Sequence, residues 1–315
     1  MDISILICTY NRAGELRRSL ASHAAMAVPA SVRWELLVVD NNSTDDTPAV
    51  VESCQGSLPV RYLCEKQQGK SHALNRGFSE CRGELVLMTD DDVDVTGSWL
   101  ADYFHAARQF PEAAFFGGRI ETRWEEPPPE WLAVNAGWLD STPVLDWGRE
   151  PQRLTLEAGR AFLVGANMAV RRSAFAAGFR FREDLGPIGR YRDARAQHGG
   201  EEGEWQSRVL ASGMSGMYLP EPLVYHRESR HRATRGYIRW YYRNLGIEIR
   251  RREGIPPVPA LLKAPRYLWR RLLTEGACYY YHRLISSPRV WLKLDCERAL
   301  TMGEIQECRR MAREN

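Results

Sequence analysis

Short apolar runs alternate with amphipathic stretches through the first third of the chain. "ISILICTY" (3–10), "WELLVVD" (34–40) and "ELVLMTD" (84–90) are rich in β-branched and aliphatic residues and have the length of buried strands. Between them, "AGELRRSLASHAAM", "STDDTPAVVESC" and "SHALNRGFSEC" carry helical periodicity, the second opening with Ser43 or Thr44 as N-cap and acids in its first turn. Strands alternating with helices predict a parallel sheet with right-handed crossovers, and such sheets bind ligands outside the carboxyl ends of their strands. Asp40, Asp90 and the "TYNR" loop (9–12) all fall at such ends.

Beyond residue 115 the alternation loosens. "EEPPPEW" (125–131) reads as a loop, because three successive prolines donate no ladder or helix hydrogen bond, and the Trp- and Pro-rich stretch 125–160 has no assigned fold. "FLVGANMAVRRSAF" predicts a strand entering a helix, "GGEEGEWQSRVLASG" a helix ended by Gly213, and "MYLPEPLVYH" a strand ending at His226. From Arg227 onward strands give way to helical stretches, "YIRWYYRNLGIEIRRREG", "PRYLWRRLLTEGACYYYHRLI" and about 290–313, the first two separated by "IPPVPA". The expected organisation is an α/β domain over 1–226, with a first half to about 115 and a second from 116, followed by a basic, aromatic-rich helical region over 227–315.

Composition narrows the class. No stretch approaches the roughly 18–20 continuous apolar residues of a membrane span, and the N-terminus lacks the features of a secretory signal, so a cytoplasmic location is expected. The seven cysteines include no CxxC pair, which argues for reduced thiols over a zinc ribbon or disulfide framework. The net charge of +3 hides an asymmetry: residues 227–315 hold 20 Lys and Arg against 9 Asp and Glu, a net of +11, which leaves 1–226 at −8.

The stretch "LVLMTDDDVDV" (85–95) runs a buried-type strand into Asp90, Asp91 and Asp92, with Asp94 close behind. Like charges this close oppose one another's ionisation unless a cation compensates them, so the cluster asks for a metal; a solvated acidic turn capping the next helix is the plainer reading, and suits Asp94. "GKS" at 69–71 resembles part of a phosphate-binding loop, but Cys64 stands where that motif needs glycine. The acids of "GGEEGEW" could equally be a first helical turn stabilised by the helix dipole.

Seven of these segments, "ISILICTYNRAGELRRSL", "LLVVDNNSTDDT", "GKSHALNRG", "VLMTDDDV", "GANMAVRRSAF", "GGEEGEWQSRVLASG" and "YLPEPLVYH", occur in an order that resembles family 2 glycosyltransferases of the GT-A fold. The resemblance covers about 3–226 and implies a Rossmann-like, open, mainly parallel sheet with helices on both faces. It implies transfer of a sugar from a nucleotide-sugar, with UDP the expected nucleotide, to an acceptor hydroxyl with inversion, in bacterial-type polysaccharide or glycoconjugate assembly. It assigns Asp90 and Asp92 to the ends of a DxD element, with Asp91 able to stand in for either, and Asp92, Asp90 and His226 to a Mn²⁺ or Mg²⁺ site. The nucleotide would be lined by Thr9, Tyr10, Asn11 and Arg12, by Asp40 and Asn42 where the family more often has DDGS, and by Gly69, Lys70 and Asn75. Of the glutamates, Glu202 falls on the family's catalytic base, with Glu201 or Glu204 as alternatives because this chain has Glu-Glu where the family has Glu-Asp. Trp205 reads first as an apolar-face residue; beside the base it and Asn167 are also candidates to border the acceptor.

Two other functions share these features, a sugar nucleotidyltransferase and a catalytically inactive nucleotide-sugar-binding homologue. The basic tail has no recognisable nucleic-acid module, so nucleic acid is not an expected partner. Arginine with Trp, Tyr and Leu on amphipathic helices suits an anionic membrane surface, such as the inner face of a plasma membrane from which a lipid-linked saccharide acceptor would hang. Packing on the catalytic domain or a homodimer interface would explain the same helices.

Overall fold

The computed structural model describes residues 1–314 apart from 134, 136–138, 140, 142, 143, 159–161 and 189–198. In chain order the first elements are β1 (Ile3–Thr9), α1 (Ala13–Ala24), β2 (Trp34–Asp40), α2 (Thr47–Ser53), β3 (Val60–Cys64), α3 (Lys70–Glu80), β4 (Leu85–Asp90), β5 (Val93–Val95) and α4 (Trp99–Gln109). There follow β6 (Ala113–Trp124), α5 (Glu130–Ala133), β7 (Gln152–Leu154), β8 (Met168–Arg171), α6 (Arg172–Ala176), α7 (Glu201–Ala211) and β9 (Ser215–Glu228). The remainder is α8 (Arg235–Glu253), a short hairpin of β10 (Ala260–Leu261) and β11 (Ala264–Pro265), α9 (Arg266–Ile285) and α10 (Pro288–Glu314).

The main sheet runs in the order β3-β2-β1-β4-β8-β6-β9-β5, with β7 paired to β9. It is parallel across β3, β2, β1 and β4 and antiparallel at β4-β8, β8-β6, β9-β5 and β9-β7. Ile3, Ile5 and Ile7 of β1 are fully buried, as are Leu36 to Val39 of β2. Burial of this kind stabilises by about 1.5–3 kcal/mol per large aliphatic side chain, which is why these runs carry no polar alternation. Register then fixes the chemistry: Thr9 lies opposite Asp40, and Cys8 opposite Asp90, so three strand ends finish side by side.

By internal packing the chain divides into two units, one of residues 1–123, 143–189 and 201–228 and one of 124–142, 190–200 and 229–315. The first contains the main core, where Trp205 packs edge-on to Phe115 and stacks on Phe181. In the second, α8 crosses α10 at glycines: a Cβ on Gly246 would lie 2.0 Å from the Leu300 carbonyl oxygen, and one on Gly303 1.9 Å from that of Arg243. Its buried carboxylates are held by arginines. Asp295 pairs with Arg235, Arg239 and Arg298, Glu304 with Arg250 and Arg271, and Glu307 with Arg251 and Arg310. No helix of the described residues is long and apolar enough to cross a membrane.

Candidate functional site

The carboxyl ends of β1, β2 and β4 build the site. After β1 the chain turns through Asn11, whose φ of 52° is a left-handed conformation that asparagine tolerates better than most residues. Asn11 Oδ1 accepts from the Thr44 amide (2.7 Å), while its own amide donates to Ser43 Oγ (2.7 Å). These bonds lock the loop after β1 to the loop after β2. Asp40 is 1 % exposed, its Oδ1 accepting from the Ser43 amide (2.9 Å) and its Oδ2 from the Tyr62 hydroxyl (2.7 Å). Each oxygen of this carboxylate therefore already accepts one hydrogen bond and keeps a second lone pair. Tyr10 is half-buried in the same loop, and Asn42, also left-handed at φ 66°, points to solvent.

Its neighbour Asn41 does the connecting instead. The Asn41 side chain donates to the carbonyls of Glu65 (3.2 Å) and Gln67 (2.7 Å) and accepts from the Gly69 amide (2.7 Å), which pins the turn leading into α3. Lys70, at the start of α3, places Nζ 2.9 Å from Asp90 Oδ1, 3.1 Å from Glu202 Oε1 and 3.8 Å from Glu201 Oε1. Burial alone would push the ammonium down, but the carboxylates of Asp90, Glu202 and Glu201 raise it well above its ordinary value. Lys70 therefore stays charged. Asn75, expected over the nucleotide, instead bonds both amide and carbonyl of Phe181, a structural use that leaves it little for a ligand.

The three aspartates take different environments. Asp90 is a quarter exposed, whereas Asp91 and Asp92 are buried. Asp91 accepts from Thr9 Oγ1 (2.7 Å) and pairs with Arg12 (3.1 Å); burial, only partly offset by Arg12, pushes it up to about 6, with the Asp92 charge adding to the rise. Asp92 accepts from Arg12 (2.7 Å) and lies 3.3 Å from His226 Nε2. On the other side of that ring, Nδ1 stands 3.1 Å from Glu228 Oε1. Glu228 was not among the expected site residues; its signal is its position two residues beyond His226 on β9, hence on the same face of the strand. The strand continues to Glu228 rather than stopping at His226.

One ligand atom each from Asp90, Asp92 and His226 lie within 4.8 Å of one another. Two carboxylates and an imidazole suit a divalent cation of the Mn²⁺ or Mg²⁺ type, and a carboxylate behind the ring is the arrangement that orients a metal-binding histidine. Charge agrees. Around Arg12 and Lys70 gather Asp90, Asp91, Asp92, Glu201 and Glu202, so that among the described residues acids outnumber cations, a balance that a divalent ion would improve.

At the start of α7, Glu202 is 18 % exposed and its Oε2 accepts from the Gly165 amide (3.1 Å). A Cβ on Gly165 would stand 1.9 Å from Glu202 Oε1, so only glycine admits the carboxylate here. Glu201 is 2 % exposed, and Glu204 is tied to Arg208 (2.7 Å). Two expectations are corrected. Trp205 is fully buried among Phe115 and Phe181, with its indole N–H donating to the Phe179 carbonyl, and offers no face to an acceptor sugar. Asn167 is also fully buried; it accepts from Trp99 and Tyr103 and donates to the carbonyls of Arg119 and Pro222, a core hub rather than a surface contact.

A family model described as "Glycosyl transferase family 2" matches residues 4–179. The chain belongs to this family. Among curated relatives of the glycosyltransferase, the succinoglycan biosynthesis protein ExoM of Rhizobium meliloti (strain 1021) is 28 % identical over 242 residues, covering 76 % of this chain and 71 % of that protein. Among solved structures, the mannosyltransferase PcManGT from Pyrobaculum calidifontis, in complex with GDP-Man and Mn²⁺, superposes with a TM-score of 0.59 at 17 % identity over 97 % of this chain and 86 % of that one. Residues 1–349 of S. aureus TarS, in complex with UDP, superpose with a TM-score of 0.57 at 16 % identity over 100 % and 92 % of the two chains. At these identities the likeness establishes the fold, which is GT-A, for the glycosyltransferase.

Proposed function

We propose that this glycosyltransferase moves a sugar from a nucleotide-sugar, with UDP as the nucleotide, to a hydroxyl of a saccharide or lipid-linked saccharide, inverting the anomeric carbon. The observation that carries this reading is Lys70, whose ammonium stands between Asp90 (2.9 Å) and Glu202 (3.1 Å). One donor diphosphate meeting Lys70 would thereby be within reach of both the aspartate cluster and a glutamate. On this reading residues 1–115 carry the nucleotide and 116–226 the acceptor.

Glu202 is the base. It is more open than Glu201, 18 % against 2 % of the side chain, and unlike Glu204 its carboxylate is not tied to an arginine of its own helix. In the resting site its ion pair with Lys70 holds a negative charge that a base must be free to use. An arriving diphosphate competes for Lys70, which releases Glu202 to accept the acceptor's proton as the hydroxyl oxygen bonds the anomeric carbon. The Gly165 amide keeps the carboxylate aimed while that happens. Asp90, Asp92 and His226 would hold Mn²⁺ or Mg²⁺, which when bound neutralises charge on the departing diphosphate. Glu228 orients His226, and the loop Thr9 to Arg12 with Asp40 and Asn41 walls the nucleoside. The relative named for succinoglycan biosynthesis supports polysaccharide assembly as the setting.

The test is Glu202→Gln. Retained affinity for UDP with Mn²⁺ and loss of sugar transfer is the expected outcome; unchanged transfer would remove Glu202 from the chemistry and pass the role to Glu201.

A further inference from the structure

Helix α9 leaves an apolar face to solvent. Leu273 is 74 % exposed and Leu284 86 %, with Tyr280, Tyr281 and Ile285 each more than half exposed. Counted from Leu273, these positions with Ala277 fall at i, i+4, i+7, i+8, i+11 and i+12, so they form one stripe on a helix of 20 residues. The opposite side packs inward through Leu268 and Tyr279. The one acid of the helix, Glu275, is on that inner side and accepts from Thr301 of α10 (2.7 Å). Charge on the outer face is thus all positive, from Arg266, Arg270 and Arg283.

Beside the stripe, α8, α9 and α10 form an open, solvent-facing cavity of about 450 Å³. Its walls include Trp269 and Leu272, and its rim Arg243, Arg309, Arg310 and Arg313. Arg310 pairs with Glu307 and Glu314, and Arg243 bonds the neutral amide of Gln306, whereas Arg309 and Arg313 form no ion pair among the described residues. Trp269 in the cavity wall lies one helical turn before Leu273 on the same side of α9, so the cavity adjoins the N-terminal end of the stripe.

We propose that this surface docks on an anionic lipid bilayer, the α9 face lying in the boundary between headgroups and acyl chains and the arginine-rimmed cavity taking a lipid phosphate. No described helix can span a bilayer, so the attachment is in the plane of the interface. Charge favours the bilayer over a second copy of the chain. A two-fold contact through this surface would bury the same basic patch of both copies in one interface, and residues 227–315 already carry a net of +11.

Co-sedimentation of the full chain with phosphatidylcholine vesicles, with and without phosphatidylglycerol, tests this. The protein is expected to pellet with the phosphatidylglycerol vesicles, to be released by salt, and to bind phosphatidylcholine alone weakly. The double variant Leu273→Glu/Leu284→Glu, and separately Arg309→Glu/Arg313→Glu, each lower the bound fraction at least about tenfold. All four side chains are exposed, so both variants should melt as the wild type does. Hydrogen exchange on the wild type needs no variant, and vesicles should slow exchange in α9. Failure to pellet, or pelleting that both variants leave unchanged, overturns the proposal. So does a solution dimer that Leu273→Glu/Leu284→Glu dissociates, which would give the face to a second copy. None of these readouts involves nucleotide or sugar transfer, so the outcome is separate from that of the proposed catalysis.

Discussion

Two clusters of carboxylates in the glycosyltransferase are treated in opposite ways. In the helical unit every buried acid described above has at least two arginines: three on Asp295, two each on Glu304 and Glu307. Among the described residues of the cleft, the ion pairs of five acids run to Arg12 and Lys70. Titration carries the same contrast. Burial pushes both Asp91 and Glu307 upward, yet the arginines on Glu307 win and hold it below its ordinary value, while Arg12 fails to do so for Asp91, which rises to about 6. A buried acid with surplus cations is architecture. A buried cluster in which acids outnumber the cations among the described residues suits an incoming cation.

The largest expected break of this contrast is catalytic. Glu202→Gln should lower transfer by about 10²- to 10⁴-fold, read from initial rates at saturating donor, with nucleotide affinity kept or raised because the carboxylate that competes for Lys70 is gone. Next comes pH. Asp91 is raised, so its contribution to stability is complete below its ordinary 3.8 and is lost as pH rises through about 6; Glu307 is lowered, so its contribution is present above 4.5 and is lost as pH falls through its depressed value. Denaturant unfolding of the metal-free protein should therefore show wild type gaining on Asp91→Asn as pH drops from 6 to 3.8, by roughly 2–3 kcal/mol. Against Glu307→Gln, wild type should lose its advantage on acidification below 4.5. Identical pH profiles for the two pairs would erase the distinction.

In the helical unit, Asp295→Ala leaves three arginines without their shared acid. Because those side chains are partly exposed and can rehydrate, the loss should be about 2 kcal/mol in unfolding free energy rather than the full cost of breaking a buried pair. Smallest is Glu228→Gln, which should weaken Mn²⁺ binding about tenfold, measured by calorimetry, while leaving the fold intact.

Much of this arrangement was legible before any coordinates. Strands β1, β2 and β4 announced themselves because both faces are buried, and the rule that ligands gather at carboxyl ends brought Thr9, Asp40 and Asp90 together. β3 was missed because it is the edge strand and only partly buried, and β6 because paired glycines interrupt its apolar run, where Asn167 and Pro222 press against Gly118. Of the two readings of Trp205, apolar face and acceptor contact, the first holds for a periodic reason. Glu201 and Trp205 are one helical turn apart and share a buried side of α7, so an aromatic beside an acidic motif packed into the core. Asn41 and Glu228 act through partners distant in sequence or on the far side of a ring, which no local pattern reports, although the two-residue spacing from His226 to Glu228 was visible. The arginines of the tail read as free charge in the sequence, and many of them are paired with buried acids.

The most direct measurement is the melting temperature of the wild type and of Asp92→Asn with UDP, GDP, dTDP and CMP, each with Mn²⁺ and again with EDTA. The expected result is a rise with UDP that requires Mn²⁺ and vanishes in Asp92→Asn. A wild type that no nucleotide stabilises, or that UDP stabilises equally in EDTA, would contradict the claim that the aspartate cluster is where a metal and a donor diphosphate meet.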